Sequence, residues 1–167
     1  MPTWIATTPA GLNRQSLEHA TKTAIAALVA VLASRLLRLP EFYWAPIATM
    51  VVLQSTLGAS LSVSFLRLIG DALGALLGAF LGPYFGQNVY VFAAGVFFLG
   101  LLTAVAHLDR SALRFSGITL AVVMLIPRAE PTWMVAWHRF SEIALGIIIG
   151  LLIVLVWPER APAATRA

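Results

Sequence analysis

The chain has no cysteine among its 167 residues, which excludes a disulfide framework and a thiolate metal site and leaves the redox compartment unmarked. Charge is nearly as scarce: Asp, Glu, Lys and Arg make up 11% of the residues, against about 25% in a soluble domain. Eleven Lys and Arg against seven Asp and Glu give a net charge of +4. Those cations are scattered over short loops and form no contiguous basic face, so nucleic acid is not expected as a partner. No hydrolase elbow, phosphate-cradling loop or metal-ligand cluster occurs, so neither an enzyme, a cofactor nor a metal centre is expected. What fills the chain instead is apolar, 60% hydrophobic with a mean hydropathy of +0.89, the composition of an integral membrane protein.

A membrane helix needs roughly 20 mainly apolar residues. That length predicts an all-α fold of six transmembrane helices, near Leu17–Leu37, Phe42–Ala59, Leu61–Phe85, Val89–Leu108, Ser111–Pro127 and Trp133–Trp157. Breakers separate them: "RLPE", "TLGAS", "GPYFGQN", "HLDRS" and "PRAEPT". Residues 1–16 and 159–167 are read as cytoplasmic tails around a membrane domain at 17–158. Lys and Arg counts set the orientation. With the N-terminus inside, Arg14, Lys22, Arg67, Arg110, Arg114, Arg160 and Arg166 lie on the cytoplasmic side and Arg35, Arg38, Arg128 and Arg139 outside, which favours both termini inside.

Sliding the chain against itself by 72 residues lays "RLIGDALGALLG" (67–78) on "RFSEIALGIIIG" (139–150). Arg67/Arg139, Ala72/Ala144, Leu73/Leu145, Gly74/Gly146 and Gly78/Gly150 coincide, where on the order of one match is expected by chance. The same shift matches Val51/Val123 and Leu53/Leu125. Three spans repeated imply an inverted 3+3 repeat, since an odd number of spans turns the second copy over. Gly70, Gly74, Gly78 and Gly82 recur every four residues and so share one slowly drifting helix face. Together with Gly146 and Gly150 they are read as helix-packing positions, where small residues let two backbones approach.

The charges beside the glycines carry the functional reading. Ionisable groups inside a bilayer cost at least about 2.5–3.5 kcal/mol each on insertion scales, and face a polar cavity or each other. Arg67 with Asp71 and Arg139 with Glu142 are spaced to neutralise each other on their own helices, a purely structural role. Their recurrence in both repeats suggests instead two cations reaching inward from opposite faces to make an anion path, with Asp71 and Glu142 as proton-coupling candidates. Tyr43 and Trp44 are interfacial anchors or contacts for an aromatic substrate. Gln54 is an interhelical hydrogen bond or a pore-lining group, and Lys22 and Arg35 are expected to snorkel to the two headgroup layers. His138 and Glu142 share a helical face, but two ligands do not make a metal site.

The stretch "EFYWAPIATMVVLQSTLGASLSVSFLRLIGDALGALLGAFLG" resembles the membrane half of the fusaric-acid-resistance and aromatic acid exporter family. There a Tyr-Trp opening of the second span leads to an arginine-led, glycine-rich third span. "WHRFSEIALGIIIGLLIVLVWP" is similar to the family's sixth span. The resemblance, which covers roughly residues 17 to 158, implies a bacterial inner-membrane unit that exports organic anions, with Arg67 and Arg139 on the substrate carboxylate and Tyr43, Trp44 and Gln54 lining the site. It extends to the plant aluminium-activated malate transporters, which are anion channels, so a passive channel is the alternative reading and a non-transporting scaffold or half-subunit the third. Two departures stand out. The chain carries no cytosolic domain or second membrane half, which suggests a homo-oligomer, a dimer first. Asp71 stands where relatives are expected to have a small or hydroxyl residue.

Overall fold

The computed structural model describes residues 14–54, 56–127 and 129–158, with the backbone alone at 14 and 15. The expected tails therefore lie almost wholly outside the described residues, as do Arg128, Arg160 and Arg166. Six helices follow in order: α1 (Arg14–Leu36), α2 (Trp44–Val52), α3 (Leu57–Phe85), α4 (Val89–Val105), α5 (Arg110–Leu125) and α6 (Thr132–Val156). Three of them, α1, α3 and α6, are long and apolar enough to cross a membrane unaided, and α4 is a shorter apolar helix of 17 residues. The bundle reads as a multi-pass membrane domain.

The second predicted span is corrected most. In place of a helix over Phe42–Ala59, α2 has 9 residues, and Leu53 is extended with φ −69° and ψ 98°. Pro46 falls in the first turn of α2, where its missing N–H is no loss, so it does not kink the helix as a mid-span proline would. Gly58 does not break the chain either. The Thr56 hydroxyl accepts from the Ala59 N–H at 3.2 Å, a cap that starts α3 at Leu57 and draws Gly58 inside it. At the other end Pro83 lies within α3, and Gly86 stops the helix with φ +53°, a backbone conformation suited to a residue without Cβ. Asn88 caps α4 and Asp109 caps α5 in the same way as Thr56.

Lipid is the solvent here, so sidedness is inverted relative to a soluble bundle. Leu76, Phe80, Phe97 and Leu155 face outward, whereas Lys22, Thr49, Ser60, Ser64, Arg67, Asp71, Ser116, Thr119, Arg139 and Glu142 are buried. Close helix crossings hold that interior together. A Cβ on Gly70 would strike the Ala112 carbonyl and Phe115, on Gly74 the Ser116 carbonyl, and on Gly78 the Val123 side chain, so these three seat α3 against α5. Gly82 meets Thr132 at the start of α6. On α6, a Cβ at Gly146 would strike the Ala45 carbonyl and Ala48, and Gly150 lies against Val52 of α2. Thr49 ties this second crossing by donating to the Gly146 carbonyl at 2.9 Å, and Ala48, Val52, Ile143 and Ile147 pack around it.

The helices in contact are α3 with α5, α6, α2 and α4, α6 with α2, α1 and α5, α1 with α2, and α4 with α5. Exchanging α1, α2 and α3 for α4, α5 and α6 leaves this set of pairs unchanged. The α3–α5 crossing and the α6–α2 crossing are counterparts under that exchange.

Candidate functional site

The early start of α3 decides how deep its charges lie. Asp71 is the middle residue of the 29 in α3, about 21 Å from its first residue at 1.5 Å per residue. Ser60, Ser64, Arg67 and Asp71 are spaced by three and four, so they form one stripe, and all four are buried. Arg67 Nε stands 3.4 Å from Asp71 Oδ2, and the Thr119 hydroxyl of α5 donates to Asp71 Oδ1. The Arg67 guanidinium also lies over the Phe115 ring, 4.9 Å from its centroid. A buried charge is tolerated when it is paired and hydrogen-bonded, and Asp71 has both kinds of partner.

Arg139 is buried as deeply, with 1% of its surface exposed, but its surroundings differ. Its guanidinium carbon sits 3.2 Å from the centroid of the Trp44 ring, a cation–π stack. Its three guanidinium nitrogens have no hydrogen-bond partner among the described residues. The charges that act on it are Asp71, Arg67, Glu142 and Glu41, so the α3 and α6 charges form one cluster. Glu142 accepts the Glu41 N–H at 2.8 Å. The Glu41 carboxylate in turn accepts from the Tyr43 hydroxyl and from Trp44 Nε1, each at 2.8 Å. That set of bonds holds the chain entering α2 over the N-terminal half of α6 and fixes the indole on Arg139.

Of the residues singled out from sequence, Arg67, Asp71, Arg139, Glu142 and Trp44 therefore meet in the interior. Tyr43 is exposed and joins through its hydroxyl to Glu41. Gln54 stands apart at the far end of α2 from Trp44, its amide nitrogen donating to the Val51 carbonyl at 3.1 Å. Lys22 does not reach outward as a snorkelling lysine would: it is the ninth residue of a helix that begins at Arg14, and it is fully buried inside the bundle. Arg35, at the other end of α1, is exposed over Phe42. His138 faces Glu130 at 3.6 Å, and no group of three metal-ligating side chains occurs among the described residues.

Sequence reasoning missed Glu41, Phe115 and Thr119. Glu41 was legible as an acid two and three residues before a tyrosine and a tryptophan, both donors. Phe115 and Thr119 carry no local signal, because only the α3–α5 crossing sets them beside Arg67 and Asp71. An apolar groove of about 530 Å³ also lies between α3 and α6, lined by Ala72, Leu76, Trp133, Trp137 and Phe140 among others. It is an outer surface, and the charge cluster is not part of its lining.

Comparison with known proteins places this bundle. Residues 25–153 match the model of the family described as fusaric acid resistance protein-like. The chain is 29% identical over 154 residues to the "Uncharacterized transporter YdhK" of Escherichia coli K12, covering 87% of this chain and 23% of that protein. It is 32% identical over 150 residues to the "Inner membrane protein YeeA" of the same organism, covering 86% of this chain and 41% of that one. The chain thus spans between about a quarter and two-fifths of the length of these relatives. No solved structure matches it. A glycine-seated helical bundle with a buried arginine inside its third and sixth helices, and a family match over 25–153, give one conclusion: the chain belongs to the fusaric acid resistance protein-like family of membrane proteins.

Proposed function

We propose that this chain forms an inner-membrane transporter that exports organic anions, aromatic carboxylates first among them. One observation carries the reading: Arg139, enclosed by the bundle beside the Arg67–Asp71 pair, holds guanidinium nitrogens that no acceptor among the described residues satisfies. A planar guanidinium with open donors suits a carboxylate, which accepts two parallel charge-assisted hydrogen bonds. Trp44 at its face offers an aromatic ring to an aromatic ligand.

Charge balance supports proton coupling within this reading. Arg67 and Arg139 face Asp71, Glu142 and Glu41, so an arriving carboxylate adds a like charge to acids already present. Like charges in one site favour a proton on one of them, and Asp71 and Glu142 are the candidates. The inverted 3+3 repeat belongs to the same proposal, supported by the 72-residue match and by helix contacts that survive the exchange of the two halves. So do the cytoplasmic placement of both termini and a homo-oligomeric, dimer-first assembly. Reporter fusions at each terminus and the mass of the purified protein in detergent check these two points.

The test is uptake of labelled hydroxybenzoate into liposomes that hold the purified protein, with a pH gradient and a voltage applied separately. Accumulation that needs the pH gradient, and is lost in Arg67→Ala/Arg139→Ala, is the expected result. Flux that follows voltage alone replaces the coupled exporter with a passive channel. The Arg67–Asp71 ion pair at 3.4 Å favours a second reading, a scaffold whose charges only cancel. Absence of flux under either force, with normal assembly when the whole pair is neutralised, selects it.

A further inference from the structure

The buried polar side chains of α3 lie between its start and its midpoint, which is Asp71. Ser60, Ser64, Arg67 and Asp71 occupy one stripe in the first half of the helix, and in the second half the same face continues as Gly74 and Gly78. The counterpart stripe on α6, displaced by 72 residues, reads Thr132, Ala136, Arg139 and Ile143. It keeps the arginine and, at Thr132, a hydroxyl at the outer end, and loses the second serine and the acid. The polar stripe is therefore one-sided.

Its hydroxyls are also used unlike others in the bundle. Ser34, Thr49 and Thr103 each donate back to the carbonyl four residues earlier, which is how a buried hydroxyl on a helix satisfies itself. Ser60 instead accepts the Gln54 N–H at 3.1 Å. Ser64 Oγ has no hydrogen-bond partner among the described residues although the residue is only 5% exposed. A buried hydroxyl left so forfeits its hydration without replacement and is found where water or a ligand completes it. At the inner end of the stripe stands Arg139, with its own open donors and with Asp71 and Arg67 among the charges that act on it.

The geometry points to a hydrated half-path along this face, entered beside the connection between α2 and α3, by which the carboxylate ligand passes Ser60 and Ser64 to reach Arg67, Asp71 and Arg139. The other half is closed by the Trp44 indole on Arg139, held by Glu41. The route rests on the bundle's own polar stripe. Only the identity of its passenger rests on the carboxylate-transport reading above.

Because the chain has no cysteine, single substitutions report access without background. Ser60→Cys and Ser64→Cys in the full chain, in sealed vesicles of known sidedness, are treated with an anionic and a cationic methanethiosulfonate of similar size. Leu76→Cys, on the lipid-facing surface, is the control. The route predicts modification of both serine positions from the α2–α3 side only, and the anionic reagent reacting about tenfold faster or more, because a cation at the end of a low-dielectric path concentrates anions. Modification no faster than at Leu76→Cys, or no preference for the anion, overturns it. Hydroxybenzoate slows the reaction at Ser64→Cys if aromatic carboxylates are the passengers. Anion-selective modification that hydroxybenzoate leaves untouched upholds the route and removes that ligand. Two positions at different depths keep the test standing should one variant fail to assemble.

Discussion

The two glycine crossings of this bundle are built alike and charged differently. At one, α3 lies on α5 through Gly70, Gly74 and Gly78, and Arg67 covers Phe115; at the other, α6 lies on α2 through Gly146 and Gly150, and Arg139 covers Trp44. The acids break the likeness. Arg67 has Asp71 one turn along its own helix and Thr119 bonded to the same carboxylate. Arg139 has Ile143 at the matching position, and its acid, Glu142, stands where α3 has Gly70. The glycine-and-arginine frame is shared, while the placement of a single acid gives Arg67 a carboxylate at 3.4 Å on its own helix and leaves Arg139 with all three guanidinium nitrogens without a hydrogen-bond partner among the described residues.

The largest expected effect separates the two arginines. Arg67→Met leaves Asp71 as a buried carboxylate without the cation 3.4 Å away on its own helix, a change that costs about 3–5 kcal/mol, and Arg67→Met/Asp71→Leu recovers most of it. Arg139→Met removes no hydrogen bond to the described residues and costs distinctly less stability, while the transport reading makes it the more damaging for flux. Thermal unfolding in detergent, set beside liposome uptake, reads both; equal losses of stability at the two arginines break the distinction.

Next come the glycines. Gly74→Ala and Gly146→Ala each drive a methyl into a backbone carbonyl of the facing helix and are expected to cost about 1–3 kcal/mol. Gly150→Ala, whose nearest neighbour would be a Val52 methyl at 3.3 Å, stays within about 1 kcal/mol of the parent. Unfolding midpoints and the monodispersity of the purified variants check this order. If Gly150→Ala is as harmful as Gly146→Ala, the α6–α2 contact is tighter than described.

The aromatic faces differ by less. Trp44→Leu and Phe115→Leu each remove a cation–π contact worth about 0.5–2 kcal/mol. The tryptophan variant is the worse of the two, since Trp44 stands at 3.2 Å from its arginine against 4.9 Å for Phe115 and also loses its bond to Glu41. Loss of the indole is expected to raise reagent access to a cysteine placed at Glu41, whereas Phe115→Leu leaves that access unchanged.

The smallest effect lies at the exposed start of α5. Asp109 accepts from the Ser111 hydroxyl and N–H, and these bonds hold its carboxyl below the ordinary carboxylate value. A lowered folded pKa means that the cap is fully present above the unfolded value of about 3.9 and is lost as pH falls through the lower folded one. Faster amide exchange at Ser111 in acid, absent from Asp109→Asn at neutral pH, is the expected observation.

Much of this molecule was legible in its sequence. Composition and run length determined a helical membrane protein, because lipid admits no unsatisfied backbone and rewards long apolar helices. The glycine period marked a packing face, and the 72-residue match drew attention to Arg67 and Arg139, both of which are buried. Run length failed at "YWAPIATMVVLQSTLGAS", where the apolar stretch from Phe42 to Ala59 conceals a helix end at Val52 and a helix start at Leu57; hydropathy does not register a Thr56 cap. It failed at Lys22 too, since whether a lysine reaches outward depends on what surrounds it, and Lys22 is fully buried. Which helix the glycines face, which ring lies on each arginine, and that Glu41 and Thr119 serve as partners were decided only by tertiary structure. Those contacts join residues up to 101 positions apart, and no local pattern encodes the crossing of two helices.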